Sequence, residues 1–350
     1  MASLKHYFVV NPVSGKNNKV DVVNDLIIPT AEKLGIDYEV YNTTCAGDGQ
    51  RFVKETAAAA NGAPVRFYAV GGDGTLYEVI NGAFGFENAE VAAVPKGSGN
   101  DWVRLLGDVE AFTDIEGNIN GTPTKLDCIK VNDEIAINQF SMGFDAEACS
   151  EQGKMKKIPG AVGHMTYTLA GFYCMITRVK FKYKVWVDDK EVTGPFIQTT
   201  VCNGRYYGSG IQVAPFALPD DGKLDVVAIK RYMSWPVLFK VLLINWQSKG
   251  DFWKRSYVEY LRGEKVVIES EKPIQINVDG ECHAVTRADA EIVKNGLTFV
   301  MPKGATYPQK VASGEFNNTI QQTYRNKGFM KKFLSLKPYN LIVNKLFGKY

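Results

Sequence analysis

The chain predicts a two-domain α/β protein. A doubly wound α/β domain comes first, an antiparallel β-sandwich domain second, and a helical basic tail last. Three observations predict this. From His6 to Asp127 strand and helix patterns alternate through short loops, as in a parallel doubly wound sheet. From Phe181 to Met301 apolar runs separated by turn signals replace them, as in an antiparallel sandwich. After Glu315 no acidic residue occurs, while Arg325, Lys327, Lys331, Lys332, Lys337, Lys345 and Lys349 add seven positive charges. The expected divisions are residues 1–127, 128–303 and 304–350.

The first strand covers His6 to Asn11 and stops at Pro12, which cannot donate to a ladder. A helix is expected over Val20 to Leu34, closed by Gly35. Ile36 to Asn42 reads as a strand and Asp48 to Asn61 as a helix. Val65 to Val70 is a buried strand, followed by a glycine turn and a helix to Phe84. Val91 to Val94 is the fourth strand. Ligands of such sheets sit beyond the strand C-termini, so the polar loops at 11–16, 43–48, 71–75 and 95–101 should share one edge. Further on, short helices are expected across Asp145 to Arg178. Strands follow at Phe181–Val187, Phe196–Asn203, Leu224–Ile229, Lys265–Ser270, Ile274–Val278 and Leu297–Met301, with a helix-like insert at Trp235 to Trp246. Asp188-Asp189, Pro219-Asp220-Asp221-Gly222 and Asp279-Gly280 are the turn signals.

Hydrophobic content of 45% and charge of 23% exclude a disordered chain. No stretch approaches the length of a membrane span, and the first residues lack a secretion signal. Six cysteines without a Cys-x-x-Cys pair argue against a zinc site or disulfide framework, and for a cytoplasmic protein. The net charge of +3 becomes −4 for residues 1–315. A mildly acidic body with a basic tail does not suit nucleic acid. It suits a chain whose end touches an anionic membrane surface.

Val70-Gly71-Gly72-Asp73-Gly74-Thr75 organises the first domain. A strand delivered into three glycines around one carboxylate leaves backbone N–H groups bare at a helix start, where an anion can bind. The plain alternative is a tight turn capped by Asp73 or Thr75. Asn11-Pro12-Val13-Ser14-Gly15-Lys16 is a second such loop, in which Ser14 and Lys16 can face phosphate.

Residues 95–101, Pro-Lys-Gly-Ser-Gly-Asn-Asp, resemble the Pro-x-Gly-Thr-x-Asn-Asp loop of the diacylglycerol kinase catalytic domain, in the bacterial lipid kinase and sphingosine kinase superfamily. Asn11 to Gly15 looks like the first motif of that family. Further matches are Gly143-Phe144-Asp145, Ala214-Pro215 with Asp221-Gly222-Lys223-Leu224-Asp225, and Asn277-Val278-Asp279-Gly280-Glu281. The resemblance implies an ATP- and Mg²⁺-dependent lipid kinase acting on the hydroxyl of diacylglycerol or a similar lipid alcohol. It implies nucleotide contacts at Asn11, Pro12, Val13, Ser14, Gly15, Lys16, Thr43, Gly71, Gly72, Asp73, Gly74, Thr75, Glu78, Gly97, Ser98 and Asn100. Ser98 replaces the usual Thr and keeps the hydroxyl. Asp73, Asp101 and Asp127 would organise Mg²⁺, a hard cation that retains waters, and Glu281 would be the general base. A hairpin-turn acid is the plain alternative for Glu281. In bacterial relatives a structural Mg²⁺ is held by one Asp side chain and two carbonyls, which carry over to Asp221 with Leu218 and Lys223; Asp220 is a competing ligand, and a plain Asp-Gly turn is the alternative.

Lipid head-group contacts transfer less directly. Lys16 and Lys19 are present, but Asp21 and Ala170 stand where further positive charge is expected; Lys154, Lys156 and Lys157 are the available substitutes. Met165 to Arg178 reads as a core helix or as a wall of an acyl-chain groove. In the tail Tyr339, Ile342, Val343, Leu346, Phe347 and Tyr350 recur at helical spacing among lysines. Peripheral membrane association or packing on the body both follow from that pattern. The expected partners are a diacylglycerol-like lipid, an anionic membrane surface and no nucleic acid, with a homodimer left open. The rival readings are a soluble kinase of the NAD-kinase type and a non-catalytic lipid- or nucleotide-binding protein.

Overall fold

The computed structural model describes residues 3–15, 21–97, 99–155, 174, 181–230 and 257–318. Lys16, Lys19, Ser98, the side chains of 152–155, Lys156, Lys157, the Met165–Arg178 segment apart from Cys174, the 235–246 insert and the tail from 319 lie outside them.

Four strands form the expected parallel sheet: β1 (Lys5–Val10), β2 (Asp37–Asn42), β3 (Val65–Gly71) and β4 (Ala89–Pro95). Their order is β2-β1-β3-β4. The registers Val10↔Asn42, Val10↔Val70 and Gly71↔Pro95 end all four strands at one edge. Every residue of β3 is buried, as a central strand covered on both faces requires. One face packs Val9, Phe67, Val79, Ile80 and Trp102. The other packs Phe8, Ile27, Tyr68, Val94 and Ile115.

The first crossover departs from a simple helix. Asp21 accepts from the N–H groups of Val23 and Asn24, and a π-helical segment (Val22–Ile27) precedes α1 (Ile28–Leu34). Pro29 has no N–H to return to the preceding turn, so the wider ladder runs up to it. Gly35 closes α1 at φ 63°, the left-handed cap its position predicts. The helices α2 (Asp48–Ala59), α3 (Asp73–Ala83), α4 (Asp101–Leu106), α5 (Val109–Thr113) and α6 (Ile115–Ile119) complete the layers.

Strand β5 (Thr122–Val131) runs through residue 127 without a break. It is followed by β6 (Glu134–Ala136), β7 (Gln139–Gly143) and α7 (Phe144–Met155). Next come β8 (Tyr183–Val187), β9 (Lys190–Val192), β10 (Phe196–Cys202), β11 (Tyr206–Tyr207), β12 (Ile211–Gln212) and β13 (Leu224–Lys230). The last strands are β14 (Val258–Gly263), β15 (Lys265–Val278) and β16 (Glu281–Met301), before α8 (Tyr307–Ala312). Order β14-β13-β10-β7-β15-β16 is antiparallel throughout. Its core holds Phe140, Met142, Phe196, Val226, Ile268 and Ile276.

The two runs expected at 265–270 and 274–278 are one strand with a register shift between Glu269 and Ile274. Strand β16 spans both domains: Val278↔Glu281 starts a hairpin with β15, and Phe299 pairs in parallel with Val91 of β4. The hairpin turn carries Asp279 at φ 47° and Gly280 at φ 108°, the pair of positive φ values a two-residue turn of this kind needs. After β16 the chain returns to the first domain, where Ala305, Tyr307 and Phe316 join its core. Among the described residues no helix is long and apolar enough to cross a membrane.

Candidate active site

The β1–β3 crevice is where the sheet order reverses, and two glycine-bearing loops flank it. Asn11 turns the first: its N–H donates to Val70 and its Oδ1 accepts from the Val13 N–H at 3.1 Å. Val13 is exposed and Gly15 has φ 69°. A methyl on Gly15 would stand 3.0 Å from the Lys96 carbonyl oxygen. Gly72 and Gly97 meet across the third and fourth strand ends. A methyl on Gly97 would lie 2.7 Å from Gly72 Cα, and one on Gly71 2.2 Å from Thr75 Oγ1. The Thr75 hydroxyl oxygen is buried and has no hydrogen-bond partner within the protein. Gly71, Gly72, Asp73, Pro95 and Asn100 line the recess between these loops.

Asp73 opens α3 and reaches across to the other loop. Its Oδ2 accepts from the Asn100 N–H at 2.9 Å and its Oδ1 from the Asp101 N–H at 3.2 Å. A methyl on Gly99 would lie 2.5 Å from Asp73 Oδ2 and 3.8 Å from Asp101 Oδ2, so both carboxylates flank one point. Asp101 in turn accepts from the N–H groups of Ser209 and Gly210 at 3.0 and 2.6 Å, in the turn between β11 and β12. Burial raises the Asp101 pKa above the usual carboxylate value; those two donors oppose the shift and the Asp73 charge adds to it. Asp101 therefore ties the nucleotide-side loop to the second domain.

Glu281 comes from the second domain to the same place. Its Oε1 lies 3.6 Å from where a methyl on Gly74 would stand, over the first turn of α3. The turn that presents it is held from three directions. Asp279 accepts from the N–H groups of Ile137, Asn138 and Gln139, with closest distances of 2.6, 3.2 and 2.8 Å. Burial nevertheless pushes its carboxyl up to about 7, and the Asp73 charge contributes. The Gly280 N–H donates to Asn277 Oδ1 at 2.7 Å. The Asn277 amide and the Ser141 hydroxyl both donate to buried Asp145.

The contacts of the other expected residues are with loops and strand ends. Asp127 lies on β5. Strand β5 carries it beside the 219–222 loop, where its oxygens accept from Gly222 and Asn295 N–H groups at 2.7 and 2.8 Å. Glu78 braces the loop before α2, accepting from Gly47 and Gly49 at 2.8 and 2.9 Å. Thr43 donates through both N–H and hydroxyl to the Val10 carbonyl. Asp221 is engaged by Arg262, by the Asn318 amide and by the Lys223 N–H.

Some contacts across the domains are invisible in any local pattern. Tyr77, one turn beyond Gly74, donates to Glu134 at 2.5 Å, and His283 Nε2 lies 3.1 Å from the same carboxylate. Asn81 mimics a strand partner for β6: its Oδ1 accepts the Ile135 N–H at 2.9 Å and its Nδ2 donates to the Ile135 carbonyl at 2.8 Å. The second-domain residues Asp145 and Asn277 do sit in motifs marked by the sequence.

A parallel α/β domain with glycine loops at one sheet edge, met there by an acidic turn from a β-sandwich-like domain, defines the class of protein. The comparisons identify it. Residues 5–131 match the diacylglycerol kinase catalytic domain, and residues 138–301 match the YegS C-terminal NAD kinase beta sandwich-like domain. The chain is thus similar, domain by domain, to the diacylglycerol kinase catalytic domain and to the YegS-type domain behind it. It is 28% identical over 300 residues to a protein of Chromohalobacter salexigens named "Probable lipid kinase YegS-like", covering 84% of this chain and 93% of that one. The same identity and length hold for a Staphylococcus epidermidis protein named diacylglycerol kinase, covering 84% and 91%. A solved structure from Bacillus anthracis strain Sterne has the same fold, with TM-score 0.66, 20% identity, and 85% of this chain and 97% of that one covered.

The residues present fit the nucleotide and metal that this family implies. Thr75 offers an unpartnered buried hydroxyl, Gly72 and Gly97 form a cradle that side chains would fill, and Asp73 and Asp101 pair hard oxygens at one point. The Asp221 loop does not fit a second, structural Mg²⁺, because a guanidinium already faces its carboxylate, and a divalent cation beside that charge would be repelled.

Proposed function

We propose that this protein is an ATP- and Mg²⁺-dependent lipid kinase that phosphorylates the hydroxyl of diacylglycerol or a similar lipid alcohol. The observation that carries the reading is the approach of Glu281 to Gly74, the residue after Asp73, across the two domains. When bound, the Mg²⁺ nucleotide supplies the transferable phosphoryl group and neutralises its developing charge. Asn11 to Gly15, Gly71 to Thr75 and Gly97 to Asn100 hold the phosphates, chiefly through backbone N–H groups. Asp73 and Asp101 hold the metal and its waters. Glu281 accepts the proton of the acceptor hydroxyl, and the Asp279 and Asn277 contacts keep its carboxylate aimed at the cleft. A positioned base of this kind contributes roughly 10²–10⁴-fold. Asp127 and Glu78 act by holding loops rather than by touching substrate.

The lipid enters between the domains. The basic tail attaches the enzyme to anionic membrane from the cytoplasmic side. Incubating the full chain with labelled ATP, Mg²⁺ and a total lipid extract tests the assignment. A labelled lipid phosphate is expected, and added diacylglycerol should increase it. ATP turnover that labels only a soluble acceptor would replace the lipid assignment with the soluble-kinase reading.

A further inference from the structure

The loop 218–223 joins β13, β14 and the C-terminal segment through a single cation that belongs to the chain. Arg262 of β14 donates to Asp221 Oδ2 from the 218–223 loop, and its Nε donates to Asp225 Oδ2 of β13 at 3.2 Å. Its Nη1 donates to the Asn318 carbonyl oxygen at 3.2 Å, beyond α8. Asn318 closes the ring by donating through Nδ2 to Asp221 Oδ2 at 3.2 Å. The other Asp221 oxygen accepts the Lys223 N–H at 3.1 Å, and Tyr260 donates to Asp225 Oδ1 at 2.7 Å. Three oxygens, from the 218–223 loop, the strand that follows it and the C-terminal segment, thus converge on one positive centre, in the manner of ligands around a hard divalent ion. The site is sheltered: side-chain exposure is 17% for Arg262, 11% for Asp221 and none for Asp225.

A guanidinium spreads its charge over several fixed donors and suits carboxylates bidentately. We propose that the Arg262 guanidinium takes the place of a structural divalent cation in this chain, so that the fold needs no metal at the Asp221 loop. Removing the guanidinium leaves two shielded carboxylates and a carbonyl facing one another. That vacated pocket is a latent site for Mg²⁺ or Ca²⁺.

Thermal unfolding of the nucleotide-free full chain tests this, and the result does not depend on whether the protein transfers phosphate to lipid. Wild-type Tm should be the same in EDTA and in millimolar Mg²⁺ or Ca²⁺. Arg262→Ala should lower Tm in EDTA by about 5 °C or more, because it strands a buried pair. Mg²⁺ or Ca²⁺ should restore at least part of that loss, and adding Asp221→Asn to Arg262→Ala should abolish the recovery. A wild-type Tm that falls in EDTA through a step removed by Asp221→Asn would overturn the proposal. So would an Arg262→Ala protein indifferent to both ions. If Arg262→Ala does not fold, Mn²⁺ binding to nucleotide-free wild type decides by electron paramagnetic resonance. Asp221→Asn should leave the number of bound Mn²⁺ ions unchanged, and loss of one refutes the substitution of guanidinium for metal.

Discussion

Adding one methyl at Gly97 and one at Gly74 should have opposite consequences, although both lie at the same cleft. At Gly97 the new Cβ would stand 2.7 Å from Gly72 Cα and 3.1 Å from Asn100 Oδ1. The first neighbour is backbone, so relief requires the two phosphate loops to part. Overpacking of this sort costs about 1–3 kcal/mol, and at about 2–4 °C per kcal/mol for domains of this size Tm should fall by about 2–12 °C. At Gly74 the new Cβ meets only Glu281 Oε1, at 3.6 Å, an ordinary contact. Ala in place of Gly inside α3 gains up to about 1 kcal/mol of helix propensity. Thermal unfolding without nucleotide, with KM for ATP and kcat on micellar diacylglycerol, separates the two. Gly97→Ala should lose stability and raise KM for ATP at least about tenfold, a change of about 1.4 kcal/mol. Gly74→Ala should be at least as stable as wild type and keep its KM for ATP, since the methyl makes one ordinary contact, with the carboxylate, and none with the facing loop. Wild-type Tm and KM in Gly97→Ala would refute the reasoning.

Three other outcomes are expected. Burial, helped by the Arg66 charge, holds His6 down to about 4 against an unfolded value of 6.5. The unfolded chain therefore binds the extra proton between those values. Stability present above pH 6.5 is lost as pH falls toward 4, by up to about 3 kcal/mol. His6 Nδ1 lies 2.7 Å from the Tyr68 hydroxyl, and urea unfolding should show His6→Gln, which keeps a polar partner for it, losing less than wild type over that range. Asn81→Ala should cost about 1–3 kcal/mol by stranding the Ile135 N–H and carbonyl, and should lower kcat by loosening the domains; unchanged denaturant stability would contradict the clasp. Deleting residues 319–350, which spares the Asn318 contacts with Arg262, should weaken binding to anionic vesicles and leave turnover of detergent-solubilised lipid intact. Equal vesicle binding would remove the tail from the membrane reading.

Local pattern carried the first domain furthest. Fully buried β3 and the Asp-Gly turn at 279–280 announce themselves through continuous apolar sequence and turn chemistry. The long strand β16 did so only over Leu297–Met301, because the residues between exposed Arg287, Asp289 and Glu291 are the small Ala288 and Ala290, whose apolar signal is weak. Strand β14 was hidden too, with charged Glu259 and Arg262 on it. At the site, motif chemistry marks Asp73, Asp101 and Glu281. The contacts of Asp127 and Glu78 were not legible, since their partners are backbone N–H groups of Asn295, Gly222, Gly47 and Gly49, which lie far from them along the chain. Arg262 gave no signal either, as nothing near it along the chain hints at Asp221 or Asn318.

The central claim is that a carboxylate from the sandwich domain works on phosphate held by the glycine turns of the other. Glu281→Gln keeps size and shape, so its folding and nucleotide binding should match wild type. Phosphate transfer from ATP to diacylglycerol should fall roughly 10²–10⁴-fold. Transfer at the wild-type rate by a well-folded Glu281→Gln protein would contradict the account.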